Sequence, residues 1–349
     1  MQKPIEVGVL GATGMVGQQF VYLLARHPWF RPVWLAASGR SQGKRYDEAA
    51  AWRLSVPMPD ALANLTVEEA SPGRCPRLVF SALDASVAGD IERAFAEAGH
   101  VVVSNARNHR MDADVPLLVP EVNANHLDLL SGQRAARGWS GAIVTNPNCS
   151  TVFLAMALAA LRPFGLRSCI VTTLQAVSGA GYPGVASLDI LGNVIPFIAG
   201  EEEKIENETR KILGRISGGR VEPHPVTVSA QTTRVPVIDG HTESVAVALD
   251  QSPAMADVRA AFERFTGPPQ QLELPSAPLA PIVYAEADNR PQPRLDAGHD
   301  AGMTVTIGRL RPCPVLGYKF FALGHNTIRG AAGAAILNAE LMAAQGRLE

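Results

Sequence analysis

"IEVGVLGATGMVGQQF", residues 5–20, decides how the first half of this chain is read. Its opening six residues are apolar and β-branched, as a strand requires, and from Met15 onward the pattern turns helical. Between them lie Gly11, Gly14 and Gly17. Glycines at a strand-to-helix turn permit a tight bend, let backbone N–H groups approach a pyrophosphate, and allow close helix–strand packing. The spacing is GxxGxxG rather than GxGxxG, so the motif counts only because a strand precedes it and a helix follows. It predicts a dinucleotide site at Gly11, Thr13, Gly14, Met15, Val16 and Gly17; the alternative is a glycine turn that binds nothing.

Working outward, "RPVWLAAS" (31–38), "RLVFSAL" (77–83) and "HVVVSNA" (100–106) repeat the strand signal. "AGDIERAFAEAG" between the last two is an amphipathic helix ending in glycine. Strands alternating with helices predict a parallel sheet over the first 145 residues. An NAD-specific site would carry an acidic residue at the end of the second strand, where this chain has Ser38, followed by Arg40, Ser41 and Lys44. A hydroxyl and a guanidinium suit a ribose 2′-phosphate, which a carboxylate would repel, so NADP is expected over NAD. An ordinary solvated loop is the alternative.

The second half reads differently. "SCIVTTLQAVSG" (168–179), "PVTVSAQTTRVPV" (225–237), "HTESVAVAL" (241–249) and "GMTVTIGRLRP" (302–312) are long strands, several with alternation. They predict an α+β unit with a mixed or antiparallel sheet, one broad face of which could pair with another subunit. Pro-rich "GPPQQLELPSAPLAP" (267–281) reads as a surface connection, and an alanine-rich helix closes the chain.

A length of 349 residues suggests about two domains. With 47% hydrophobic and 18% charged residues the chain has the balance of a globular protein. A formal charge of -2 and scattered lysines and arginines argue against a nucleic-acid or membrane partner. No apolar run reaches the roughly 18 residues of a membrane span, and the N-terminus lacks the parts of a signal peptide. Cys75, Cys149, Cys169 and Cys313 lie far apart, without metal spacing, which suits a reducing compartment and a cytoplasmic location.

"TNPNCST" (145–151) places Cys149 at the start of an apolar run. A free cysteine is mostly protonated at neutral pH, so a nucleophilic role needs help. Asn148 or a neighbour could cap a helix whose first turn holds Cys149, Ser150 and Thr151. That helix N-terminus would stabilise a thiolate, and its free N–H groups could hold an oxyanion. A buried packing cysteine is the plainer reading of the same residues.

"GATGMVGQ", "SNARNHRMD", "VPLLVPEVN", "NPNCST", "LQAVSGAGYPG", "GEEEKIENETRKIL", "RVPVIDGHTESV" and "HNTIRGAAGAAILNAELM" occur in this order over essentially the whole chain. Together they make it similar to the aspartate-semialdehyde dehydrogenases, in the branch typified by archaeal and fungal enzymes. The resemblance implies a Rossmann-type NADP domain at 1–147, completed by the C-terminal helix 326–349, and a catalytic and dimerisation domain at 148–325. It implies reduction of 4-phospho-L-aspartate to L-aspartate 4-semialdehyde through a thioacyl group on Cys149, without a metal. His241 would be the acid/base and Gln175 would orient the reacting groups. Arg234 would grip the substrate carboxylate, Glu201 its amino group (Glu202 and Glu203 competing for that role), and Lys204, Arg110 and Asn148 the phosphate. Ser81, Gly179, Asn326 and Thr327 would approach the cofactor. The implied partners are the small substrate, inorganic phosphate and further copies of the chain, as a homodimer or homotetramer. A malonyl-CoA reductase using the same cysteine and a non-catalytic dinucleotide sensor remain the rival readings. Asp84, where relatives often carry proline, and Gly324, where serine is common, depart from the pattern.

Overall fold

A computed structural model describes residues 4–348; the first three residues and the last, which open and close the division expected above, lie outside it. Two six-stranded sheets organise the chain. The first runs β3-β2-β1-β4-β5-β6, with β1 at Ile5–Leu10, β2 at Phe30–Ala37, β3 at Val67–Glu69, β4 at Leu78–Ser81, β5 at Val101–Ser104 and β6 at Ala142–Thr145. Every pairing in it is parallel. The strand order reverses between β1 and β4, and that crevice is where doubly wound sheets hold ligands. β4, β5 and β6 are buried throughout, because helices cover both faces of the sheet.

A small hairpin, β8 (Arg215–Ser217) with β9 (Arg220–Glu222), stands apart from the second sheet. That second sheet has β7 (Leu166–Gln175), β10 (Thr227–Arg234), β11 (His241–Leu249), β12 (Ile282–Ala285), β13 (Val305–Cys313) and β14 (Gly317–Gly324), in the order β10-β7-β11-β14-β13-β12. Its two outer pairings are parallel and its three inner ones antiparallel, so the expected mixed sheet is present. The sequence reading missed β3, β6, the hairpin, β12 and β14. Most are three or four residues long, too short for alternation to declare itself.

Helix Cys149–Leu161 is apolar on all sides and buried along nearly its whole length, as a helix enclosed on every face must be. It lies over the inner face of the second sheet and shares a core with Val171, Val245, Val247 and Phe320. The C-terminal helix Gly333–Ala344 returns to the first sheet's core. There Asn338 donates to Asn146 Oδ1 at 2.6 Å, and Asn146 donates to Asn105 Oδ1 at 2.9 Å and to Ala331 O at 2.7 Å. This chain of amides satisfies polar groups that would otherwise be buried without partners. Stretch 267–281 is more than a surface connection: Pro269 and Leu274 are buried, because a short helix at Pro268–Gln271 turns them inward.

Candidate active site

The glycine turn forms one wall of a cleft of about 750 Å³ at the β1/β4 crevice. Gly11, Thr13, Gly14, Met15, Val16 and Ser38 line it, as expected. Helix Met15–Leu24 begins there with no side-chain cap, so its first amides are free for an anion. Gly17 faces away from the cleft: a Cβ on it would lie 2.1 Å from Gly11 O, so it serves the packing of helix on turn. Ser81 is buried and donates its hydroxyl to Glu92 Oε1 at 2.6 Å, which takes its side chain out of the wall. Arg40 and Ser41 sit beyond the wall on a turn that closes through Ser41 N–H to Ser38 O. Arg53 supplies the cleft's guanidinium instead, 4.3 Å above the Tyr182 ring.

Pairings Arg234↔Gln175, Thr242↔Leu174 and His241↔Gly324 set the other half of the site. They place Arg234, Gln175, His241 and Gly324 in one row across the end of the second sheet, all facing the helix that starts at Cys149. Each of the three side chains is buried. Arg234 Nη1 donates to Ala176 O at 2.7 Å and Gln175 Nε2 to Thr173 Oγ1 at 3.3 Å. Ala176 N–H donates to His241 Nδ1 at 3.0 Å, so the neutral ring carries its proton on Nε2. Gly179 arches over this row; a Cβ there would come within 2.9 Å of both Arg234 Nη1 and His241 Nε2. Asn326 ties the arch down, accepting from Gly240 N–H at 2.8 Å and donating to Ser178 Oγ at 2.8 Å. Gly179, Asn326 and Thr327 thus lie at the catalytic end and not in the cleft wall. A glycine is required at 324, because Phe153 packs against the strand there, 2.3 Å from where a Cβ would stand.

Asn148 is the N-cap, its Oδ1 accepting from Ser150 N–H at 3.1 Å and Thr151 N–H at 3.4 Å. Its Nδ2 donates to Glu201 Oε2 at 2.6 Å, and Lys204 Nζ meets Glu201 Oε1 at 2.5 Å. Glu201 begins helix Glu201–Ile212, which packs beside the helix that starts at Cys149. The three glutamates separate cleanly. Glu201 is buried against Asn148, Glu202 accepts from Thr232 N–H at 3.1 Å on the open edge of β10, and Glu203 is exposed. Arg110 reaches the same corner, with Nη1 on Glu208 Oε1 at 2.9 Å and Nη2 on Asn105 O at 2.8 Å.

The electrostatics revise one expectation. The Cys149 thiol is pushed up to about 12, first by burial and then by the charge of Glu201, against the opposing pull of Ser150 N–H, Arg110 and Arg234. The resting residue is therefore a thiol: desolvation outweighs the helix terminus. Burial pushes His241 down to about 3, with Arg234 and His325 adding to it, so its imidazole is neutral.

Two contributors were given no role in the sequence reading, and a third, Asp84, was noted there only as a departure. Gln18 staples the glycine turn to the next loop, donating to Thr13 O at 2.9 Å and Ala51 O at 3.0 Å and accepting from Arg53 N–H at 2.8 Å. Tyr182, inside "LQAVSGAGYPG" but assigned nothing there, closes the cleft with Arg53, whose Nη2 donates to its hydroxyl at 3.1 Å. Asp84 caps helix Ala85–Glu97 through Ser86 N–H at 2.8 Å, which gives that departure a local purpose. Only Gln18 left a signal, a polar residue on the inward face of an apolar helix.

Residues 6–130 match the family model for the semialdehyde dehydrogenase NAD binding domain, and residues 158–329 the semialdehyde dehydrogenase dimerisation domain. The aspartate-semialdehyde dehydrogenase of Archaeoglobus fulgidus is 51% identical over 97% of this chain and 97% of its own length. That of Cryptococcus neoformans is 50% identical over 99% of this chain and 98% of its own. The crystal structure of the Candida albicans enzyme with NADP superposes with a TM-score of 0.92 at 42% identity, covering 99% of this chain and all of that one.

Proposed function

The chain belongs to the aspartate-semialdehyde dehydrogenase family, and from that premise we propose how its residues carry out the reductive dephosphorylation of 4-phospho-L-aspartate to L-aspartate 4-semialdehyde. The observation that carries the reading is the meeting of Cys149, at a capped helix start, with the buried row Arg234–Gln175–His241. It is an NADP-dependent enzyme of aspartate-family amino-acid biosynthesis. The cleft residues fit that cofactor: free helix amides for the pyrophosphate, Ser38 at the ribose and Arg53 alongside. When bound, NADPH supplies the hydride.

Cys149 Sγ attacks the acyl carbon, the C–O bond to phosphate breaks, and a thioester forms. The thiol proton leaves on the phosphate, since Nε2 of the resting His241 already holds one. Of the expected acid/base role His241 keeps the donor part, hydrogen-bonding through its Nε2–H to the oxygen that gains charge. The Ser150 and Thr151 amides are capped by Asn148, so the oxyanion falls to His241 and the Cys149 peptide. Arg234 holds the substrate carboxylate as a fork of donors. Glu201 takes the substrate ammonium, releasing Lys204 for the phosphate. Asn148 acts chiefly as the cap. Arg110, Asn148 and Lys204 together favour an acyl phosphate over malonyl-CoA.

The working unit divides as 1–147 with 326–349, around 148–325. Copies of the chain assemble through the dimerisation domain, as a homodimer or homotetramer, across the outer sheet face that exposes Ile170 and half-exposes Phe321. Among the described residues no helix is long and apolar enough to cross a membrane, and the cytoplasm is the compartment this chemistry suits. The test follows NADPH formation from L-aspartate 4-semialdehyde and NADP, with and without phosphate or arsenate. Turnover that requires the oxyanion supports the reading; turnover indifferent to it, or reduction of malonyl-CoA alone, overturns it.

A further inference from the structure

Helix Glu201–Ile212 turns one buried stripe toward the site: Glu201, Glu208 and Lys211, spaced so that successive turns align. Glu201 has a place in the reaction described above. Glu208, two turns further along, does not, yet its carboxylate is only 2% exposed and both oxygens are engaged. Oε1 accepts from Arg110 Nη1 at 2.9 Å, and Oε2 accepts from the backbone N–H of Asn148 at 2.6 Å. One carboxylate thus joins the guanidinium assigned to the phosphate and the peptide immediately before the nucleophile. These two groups arrive from separate segments, the loop after β5 and the turn after β6. Among the described residues Glu208 alone bonds both Arg110 and Asn148 directly.

The contact with Asn148 is specific in what it does. Asn148 Oδ1 caps the helix and Nδ2 meets Glu201, so its N–H is the remaining polar handle on that residue. A charge-assisted bond to that N–H fixes the plane of the peptide leading into the cap, and with it the direction in which Cys149 leaves the helix. One turn along, Lys211 Nζ donates to Arg110 O at 2.6 Å, Asp112 O at 2.7 Å and Val115 O at 2.9 Å. The loop that carries Arg110 is thereby pinned to the same helix from behind.

We propose that Glu208 is a positioning residue for the reaction, holding Arg110 and the Asn148 peptide in one register so that phosphate and nucleophile meet at a set separation. This rests on the assignment of Arg110 to the phosphate. Two effects follow from its two contacts. Through Arg110 it governs the apparent affinity for phosphate; through Asn148 it governs the turnover step at Cys149.

Kinetics in the oxidative direction, with inorganic phosphate and then arsenate as the varied oxyanion, test this on the full chain. Glu208→Gln keeps the size but puts an amide where one of two donors needs an acceptor. We expect the phosphate KM to rise roughly tenfold and kcat to fall roughly tenfold, with the NADP KM within about twofold. In an Arg110→Met background the same change should leave the phosphate KM where Arg110→Met alone put it while still lowering kcat. Glu208→Asp retains the charge but is too short to span both donors, and gives the same split if the Gln variant does not fold. A Glu208→Gln enzyme with lowered Tm but unchanged kcat and phosphate KM overturns the proposal, leaving a structural ion pair. If instead Arg110→Met itself leaves the phosphate KM unchanged, the assignment of Arg110 has failed; the kcat effect of Glu208→Gln then decides the Asn148 arm by itself.

Discussion

The cofactor cleft and the catalytic row are built on opposite plans. The cleft is open, walled by one contiguous turn and its neighbours, and works through backbone amides that glycines leave accessible. The row is buried, made of side chains from three strands and a helix start, with Arg234 and His241 Nδ1 each held by a specific backbone partner. Backbone recognition tolerates side-chain change; a buried constellation does not, because removing one member strands the others in a low-dielectric setting. The first region should therefore answer substitution with shifts in affinity, the second with loss of chemistry.

The sharpest way to break this contrast is Cys149→Ser. Turnover should fall by roughly 10⁴-fold or more while NADP binding, read by fluorescence titration, stays within about twofold. Retained turnover would remove the nucleophile from the row. A change in the cleft should do less: Ser38→Asp puts a carboxylate at the ribose end and should raise the NADP KM roughly tenfold, leaving kcat at saturation nearly unchanged. A collapse of kcat there would mean the two regions are not separable.

The smallest effect concerns stability. His241 is held neutral, its folded pKa depressed from 6.5 to about 3. The stability this reflects is fully present above pH 6.5 and is lost as pH falls toward 3, because the unfolded chain takes up the proton first. The slope is about 1.4 kcal/mol per pH unit for one proton. Denaturant melts of wild type and His241→Asn across pH 4–7 should show a shallower decline for the variant; parallel curves would place the ring in contact with water and so outside the buried row.

The same contrast explains what could be read beforehand. The glycine turn, β1, β11 and the apolar run after Cys149 announced themselves, since each signal is local and periodic. Of the residues expected at the cofactor, Gly11, Thr13, Gly14, Met15 and Val16 from the glycine motif and Ser38 from the end of the second strand line the cleft. Ser81, Arg40 and Ser41 do not line it: the Ser81 hydroxyl is engaged by Glu92, and the guanidinium in the wall is that of Arg53. Helix spacing placed Glu201 and Lys204 on one face but was blind to Glu208 as a bridge, because its partners lie 98 and 60 residues away. Nor could a helix-terminus argument foresee that Cys149 rests as a thiol. That outcome depends on how much water the folded protein removes from the sulfur and where it sets Glu201.

By itself, then, the sequence determined two α/β halves, a dinucleotide turn and a cysteine beginning an apolar helix, because strand and helix periods and turn chemistry are properties of neighbouring residues. Only the tertiary structure decided which side chains share the site, which tautomer His241 adopts and which carboxylate spans Arg110 and Asn148. Those follow from strand register, in which a slip of one residue would turn Gln175 and His241 to the other face, and from burial, which no local pattern encodes.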